Sequence, residues 1–304
     1  MYDIIVLGSI NMDVIAECKS YPNSGDTAFC NAINMQSGGK GNNQAISAAN
    51  YGKKVCFVGS VGNDSQGKSL RDNLKTRNIS DEHIVIKPNS KTGTCVGLVE
   101  PTGENTLIVN PGANMELTSD DVAEVFNRIE GTILLIQMET SKESVLEAMK
   151  IAKQKGMLVI LDPAPVDGIC KESFVYADII VPNSAETKFI TGIEVYNEST
   201  ALEAAKAIHA LGVETVIIKM GGNGCLLFKN DKSTFIPALK VDAVDTVGAG
   251  DCFAGALASH LSDDVAIEDA IKFAQVVAGI KVTRFGGQDA LPSMTEVEDK
   301  MIAI

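Results

Sequence analysis

Apolar residues gather in short unbroken runs at 4–7, 55–58, 133–136, 158–161, 179–181 and 216–218. Runs this short and without alternation suit strands covered on both faces. Between them, Val122, Val125, Phe126 and Ile129 take the i, i+3, i+4, i+7 spacing of an amphipathic helix. Strand and helix therefore alternate. The pattern predicts an α/β three-layer sandwich, a mostly parallel central sheet between layers of helices, with ligands at the carboxyl ends of its strands. Polar segments stand where that rule expects them. Gly8-Ser9-Ile10-Asn11-Met12-Asp13 follows the first run, Gln137-Met138-Glu139 the third and Pro182-Asn183 the fifth, while Gly221-Gly222-Asn223-Gly224 follows the sixth, which ends near Lys219.

Residues from about 12 to 36 and from 92 to 110 break the alternation. They read as extended strands, the second segment with a turn at Pro101-Thr102-Gly103-Glu104-Asn105 between 94–100 and 106–110. Inserted at those points, such strands predict a small β-sheet lid over the strand ends; an ordinary edge hairpin is the alternative. With no low-complexity stretch, long linker or fixed-period repeat, residues 1–304 parse as a single domain carrying that lid subdomain.

Composition narrows the functional classes. A chain of 304 residues with 45% hydrophobic content can bury a sizeable core. Its formal net charge of −13 argues against nucleic acid or anionic membrane as partners, because both reward clustered Lys and Arg. The first residues lack a basic region and a long apolar core, so no signal peptide is expected, and no stretch has the apolar length of a membrane span. Cys18, Cys30, Cys56, Cys95, Cys170, Cys225 and Cys252 are scattered without CxxC spacing, which fits free thiols in a reducing cytoplasm. His83, His209 and His260 are too far apart in sequence to suggest a His-rich metal site.

The densest chemistry lies in Asp245-Thr246-Val247-Gly248-Ala249-Gly250-Asp251, where two carboxylates flank a small-residue turn that leads into an apolar helix. Gly248, Ala249 and Gly250 leave backbone N–H groups open to an anion at a helix N-terminus. Asp251 would repel a phosphate bound there, which makes sense for an acid that must take a proton from a nucleophilic hydroxyl. A helix cap or dipole partner is the plainer alternative. Cys252 beside it is either a thiol nucleophile or a packed small residue.

A second glycine-rich turn, Ser37-Gly38-Gly39-Lys40-Gly41-Asn42-Asn43-Gln44, enters a helix over 45–51. It is no Walker A loop, since Gly41 rather than Ser or Thr follows the lysine, and no dinucleotide fingerprint, since the GxGxxG register and preceding strand are missing. Lys40, Asn43 and Gln44 offer donors for a polyhydroxylated ligand. Asn11 and Asp13 suit the paired hydroxyls of a sugar; either could equally cap a turn.

Together, Gly8-Ser9-Ile10-Asn11-x-Asp13, Gly38-Gly39-Lys40-Gly41-x-Asn43-Gln44, Gln137-x-Glu139, Asp162-Pro163-Ala164-Pro165, Pro182-Asn183-x-x-Glu186, the 245–251 segment and Val282-Thr283-Arg284 resemble, in order, the ribokinase branch of the PfkB carbohydrate kinase family. The resemblance spans nearly the whole chain and implies ATP-dependent phosphorylation of D-ribose at its 5-hydroxyl. It matches Asn11, Asp13, Gly39, Lys40, Asn43 and Glu139 to positions that hold ribose hydroxyls. Asp251 matches the general base, and the N–H groups of 248–251 match an anion hole. Asn183 and Glu186 match the part of the nucleotide site that orders phosphate and Mg²⁺-bound water, with Gly221, Gly222 and Gly224 in the loop beside the nucleotide. A K⁺ ion is implied beside the anion hole, its ligands matching Asp245, the backbone of Val247, and carbonyls near Lys281, Arg284 and Gly286. The family's lid strands clasp between two chains, which implies a homodimer. Three positions depart from its ribokinase pattern: Gln275 replaces an Asn facing adenine, Ala290 a Ser that completes the K⁺ shell, and Lys219 a Thr at the nucleotide loop.

Overall fold

All six apolar runs form strands of one sheet. The computed structural model describes residues 1–100 and 105–303. The chain opens with β1 (Tyr2–Leu7), β2 (Asn11–Glu17), β3 (Ala32–Gly38), α1 (Lys40–Ala49), β4 (Val55–Gly62), α2 (Ser65–Thr76) and β5 (Ile84–Lys87). It continues through β6 (Gly93–Val99), β7 (Asn105–Asn110), α3 (Ser119–Phe126), β8 (Gly131–Ile136), α4 (Lys142–Gln154) and β9 (Leu158–Leu161). The remainder holds β10 (Ile179–Ile180), α5 (Ser184–Thr191), α6 (Glu198–His209), β11 (Thr215–Lys219), β12 (Gly224–Lys229), β13 (Lys232–Pro237), α7 (Ala249–Leu261), α8 (Ile267–Lys281) and α9 (Met294–Ile302).

The large sheet has nine strands in the order β13-β12-β11-β10-β9-β8-β1-β4-β5. From β5 to β11 every pairing is parallel. The β12–β13 hairpin extends one edge antiparallel, turning at Asn230 and Asp231 with φ of 51° and 57°, as a two-residue mirror-image turn requires. Successive side chains feed opposite layers: Ile4 and Val6 pack with α1, α2, α7, α8 and α9, whereas Ile5 and Leu7 pack with α3, α4, α5 and α6. That double burial is why the strands read as continuous apolar runs.

Strands β2, β3, β6 and β7 form a separate sheet in the order β3-β2-β6-β7, with β2–β6 parallel and the outer pairs antiparallel. It grows from the carboxyl end of β1 and returns to the start of α1, so both its roots lie at the site described below. The expected turn at 101–105 lies, for Pro101 to Glu104, outside the described residues; β6 and β7 pair on either side of it.

Two boundaries differ from the expectation. Helix α1 starts at Lys40 rather than 45, because Gly39, with φ 92°, breaks the extended backbone one residue earlier. Helix α3 stops at Phe126, and Ile129 is buried from the turn beyond it. The entry of α1 is pressed hard against the end of β1. A Cβ on Gly41 would stand 2.6 Å from the Gly8 Cα, so only glycine allows this crossing.

Candidate active site

A cluster of carboxylates and amides meets an apolar cleft at the N-terminus of α7. Gly248 caps that helix with φ 73°, and Asp251 lies buried in its first turn. The two carboxylate oxygens of Asp251 accept from Asn43 Nδ2 at 3.1 Å and Gln44 Nε2 at 3.0 Å, both on α1. Those amides are themselves aimed. Gln288 Nε2 donates to Asn43 Oδ1 at 3.0 Å, Gln44 Nε2 also donates to Asp162 Oδ2 at 2.8 Å, and Gln137 Nε2 donates to Gln44 Oε1. Asp251 is therefore held by neutral donors rather than by a salt bridge.

The root of the small sheet brings further acids to the same place. Burial pushes the Asp13 carboxyl up to about 7, and the charges of Glu139 and Asp251 add to the effect. Burial also raises Asp251, against the opposing charge of Lys40. Lys40 in turn is held above the usual lysine range, first of all by Asp251. Asp13 Oδ1 is buried without a hydrogen-bond partner among the described residues, an acceptor with room for a donor from a ligand. Glu139 accepts from the Ser9 hydroxyl and from the Lys40 N–H at 3.4 Å, and Gly39 packs its backbone against Ser9 and Ile10. Asn11 Oδ1 accepts from Asn114 Nδ2 at 2.7 Å, while Asn114 Oδ1 takes the Ile10 N–H at 3.0 Å. The structure thus gathers Asn11, Asp13, Gly39, Lys40, Asn43, Glu139 and Asp251 from four separate segments.

On the other side of the α7 N-terminus lies a cleft of about 390 Å³. Leu239, Val241, Ala243, Phe253, Ala278 and Val282 supply apolar walls, while Asn183, Lys219, Gly221, Gly222, Gly224, Gly250 and Gln275 also line it. Such a space fits a flat heteroaromatic ring with a polar tail. Glu186 stays behind that surface: its carboxylate accepts from the Asn183 N–H at 2.7 Å and Asn183 Nδ2 at 2.8 Å in a capping box, and burial pushes it up to about 7. Lys219 Nζ reaches Asp162 Oδ1 at 2.9 Å, so Asp162 ties the cleft to the Gln44 network. The N–H groups of Gly250 and Asp251 find no acceptor among the described residues, whereas that of Ala249 turns to Thr246 O at 3.2 Å.

At the residues matched to a cation, the structure places donors of the protein itself. Asp245 accepts from the Val247 N–H at 3.0 Å and the Gly286 N–H at 3.1 Å, so Gly286 faces it with a donor. Arg284 sends its guanidinium to Glu296 and its N–H to the Lys281 carbonyl at 3.0 Å. Lys281 enters with its side chain instead of its carbonyl: Nζ donates to Asp245 O at 3.0 Å and to Val247 O. Cys252 is buried, with its thiol pushed up to about 12 by burial and then by Asp251, which removes the thiolate a nucleophile needs. Ser9, Gln44, Asn114, Gln137, Asp162 and Gln288 organise the site; Gln44 is marked in sequence as a ligand donor and Ser9, Gln137 and Asp162 fall inside motif segments, whereas Asn114 and Gln288 carry no signal beyond polarity near a glycine turn.

A family model for pfkB family carbohydrate kinases matches residues 1–294. The chain belongs to this family. The carbohydrate kinase is 36% identical over 294 residues to a ribokinase of Haemophilus influenzae, covering 96% of each chain. It is 31% identical over 301 residues to a deoxyribokinase of Salmonella typhi, covering 98% of each. Among solved structures, the ribokinase of Arabidopsis thaliana complexed with ribose and ATP matches its fold with a TM-score of 0.90 at 29% identity, covering 98% of both chains. The kinase therefore has the ribokinase-like α/β architecture.

Proposed function

We propose that this kinase transfers the γ-phosphoryl group of ATP to the 5-hydroxyl of D-ribose, releasing D-ribose 5-phosphate and ADP. The observation that carries the reading is the seat of Asp251. A buried carboxylate, aimed by two neutral amides, stands on the same helix start that closes the apolar cleft at Gly250. A base needs this arrangement: close to both partners, free of a salt bridge that would hold its proton-accepting lone pairs, and raised toward neutrality by burial. The sugar would lie among Asn11, Asp13, Gly39, Lys40, Asn43 and Glu139, its hydroxyls donating to the carboxylates and accepting from Lys40 and Asn43. Adenine and its ribose would occupy the apolar cleft. The N–H groups of 248–251 would face the charge that builds on the transferring group, Gly250 and Asp251 with no competing acceptor.

Asn183 and Asp162 fit the phosphate end, and Mg²⁺ would be held there largely by phosphate and water, neutralising charge. Glu186 supports that end through Asn183. K⁺ fits poorly, since the Lys281 side chain meets the carbonyls that the cation would use. The lid would cover the sugar and exclude water. Its outward face carries Met35, Val14, Val96 and Ile108 in one cross-strand row, with Ile33 nearby, and all but Val14 are exposed; this supports a homodimer through the lid. No described helix is long and apolar enough to cross a membrane, and all seven cysteines are free, which suits a cytoplasmic enzyme.

The deoxyribokinase relative favours 2-deoxy-D-ribose as the rival acceptor. Coupled ADP-release assays with D-ribose, 2-deoxy-D-ribose, fructose and inosine decide between them, and a higher kcat/KM for any acceptor other than D-ribose overturns the assignment. Asp251→Asn should lower kcat by about 10²–10⁴-fold while calorimetry still detects D-ribose binding; near-normal turnover would remove Asp251 from the role of base.

A further inference from the structure

Lys281 is the last residue of α8, where a lysine normally extends into solvent to meet the helix dipole. Here its side chain is 0% exposed. A buried ammonium is tolerated only where acceptors and a countercharge surround it. Both are present in the 245–247 loop. Nζ donates to the carbonyl of Asp245 at 3.0 Å and to that of Val247, and it lies 3.5 Å from Asp245 Oδ2. These are the atoms matched to a monovalent cation. At the position matched to an oxygen ligand, the chain has the buried methyl group of Ala290.

Peptide planarity gives this contact a direct effect on the site. In a trans peptide the C=O and the following N–H point opposite ways. With the Val247 carbonyl turned toward Lys281, the Gly248 N–H must point away from it. The same constraint turns the Thr246 N–H away from the Asp245 carbonyl's partner. The ammonium thus sets the roll of the loop that feeds α7, and with it the direction of the anion-hole donors.

We propose that the tethered ammonium of Lys281 does the work of a bound monovalent cation, so that phosphoryl transfer by this kinase needs no K⁺. The inference rests on the sugar-kinase reading above for its activity measurements, but not for its binding test. With D-ribose and ATP at matched ionic strength, turnover in tetramethylammonium, sodium and potassium chloride should agree within about twofold; a tenfold or greater rise in potassium overturns the proposal. Lys281→Met keeps the apolar stem and removes the charge. It should lose at least tenfold in kcat with a smaller change in KM, and potassium or ammonium should restore part of the loss. A second readout is melting temperature: potassium should raise that of Lys281→Met relative to tetramethylammonium and leave the parent unmoved. A variant as indifferent to potassium as the parent would show that the pocket is no cation site. If no sugar gives ADP in any salt, the functional reading fails while the melting comparison still decides the role of Lys281. If the variant does not fold, the salt series on the parent alone supports or overturns the proposal.

Discussion

Asp13→Asn should stabilise the kinase while weakening its grip on sugar, and the gain should depend on pH. The parent carboxyl titrates near 3.8 when unperturbed and near 7 in the fold, first because it is buried and then because Glu139 and Asp251 repel its charge. At about 1.36 kcal/mol per unit, that difference amounts to about 4 kcal/mol against the ionised form in the folded state. A raised carboxyl means that the folded chain binds more protons than the unfolded one, so stability is greatest at low pH and falls as pH rises through the folded value. The parent should feel the whole loss above pH ~7, about 1.6 kcal/mol of it at pH ~5, and almost none below pH ~4. Asparagine has no charge to bury. With an unfolding entropy of about 2.1 cal/mol/K per residue, the variant should melt about 6 °C above the parent at pH ~8 and about 2 °C above it at pH ~5. Differential scanning calorimetry across that range is the assay, and titration calorimetry with D-ribose should show weaker binding. A gain that does not grow with pH, or none at pH 8, would refute the claim that crowded carboxylates strain this site.

Two further outcomes follow from packing. Gly41→Ala should lower the melting temperature and cut kcat together, because its Cβ would meet the Gly8 Cα at 2.6 Å and push the α1 entry, with Lys40 and Asn43, off the end of β1; an overpacked backbone contact costs about 1–3 kcal/mol, and an unchanged melting curve would disprove the close approach. Ile108→Asp, on the exposed row of the lid, should convert a dimer to a monomer in sedimentation velocity without unfolding it, whereas a parent that is already monomeric at micromolar concentration would sink the lid-to-lid interface.

Much of the framework is legible in sequence for a physical reason. Strands buried on both faces need continuous apolar residues, so 4–7, 133–136 and 216–218 announce themselves. The glycine-rich turns are equally visible, because close backbone approach excludes other residues. The β12–β13 hairpin is hard to read from sequence, since Cys225 to Phe228 is as apolar as a central strand, although the chain reverses before it at Gly221 to Gly224 and again at Asn230-Asp231. The supporting network is less legible still. Gln44 meets Asp162 and Asp251, 118 and 207 positions away in the chain, and its place after the glycine-rich turn marks it as a donor to a ligand without naming either carboxylate as its partner. Lys281 misleads: a basic residue in the last turn of a helix is ordinarily a surface group, and its burial depends on a loop that precedes it by more than a helix length.

The division of the sheet into two rims has a practical side. Most residues assigned to chemistry sit at the carboxyl ends of β1, β8, β9, β10 and β11 or on the first turns of α1, α5 and α7, with Asn11 and Asp13 at the start of β2 and Gln275 and Lys281 on α8. The turns at 50–54, 127–130, 155–157 and 210–214 lie on the opposite rim, before β4, β8, β9 and β11. At two of them, Gly52 and Gly156, a side chain would meet open space. Those turns are where a fluorescent reporter, an affinity handle or a new pair of chain ends can be spliced in, with the length of the strands between the graft and the site.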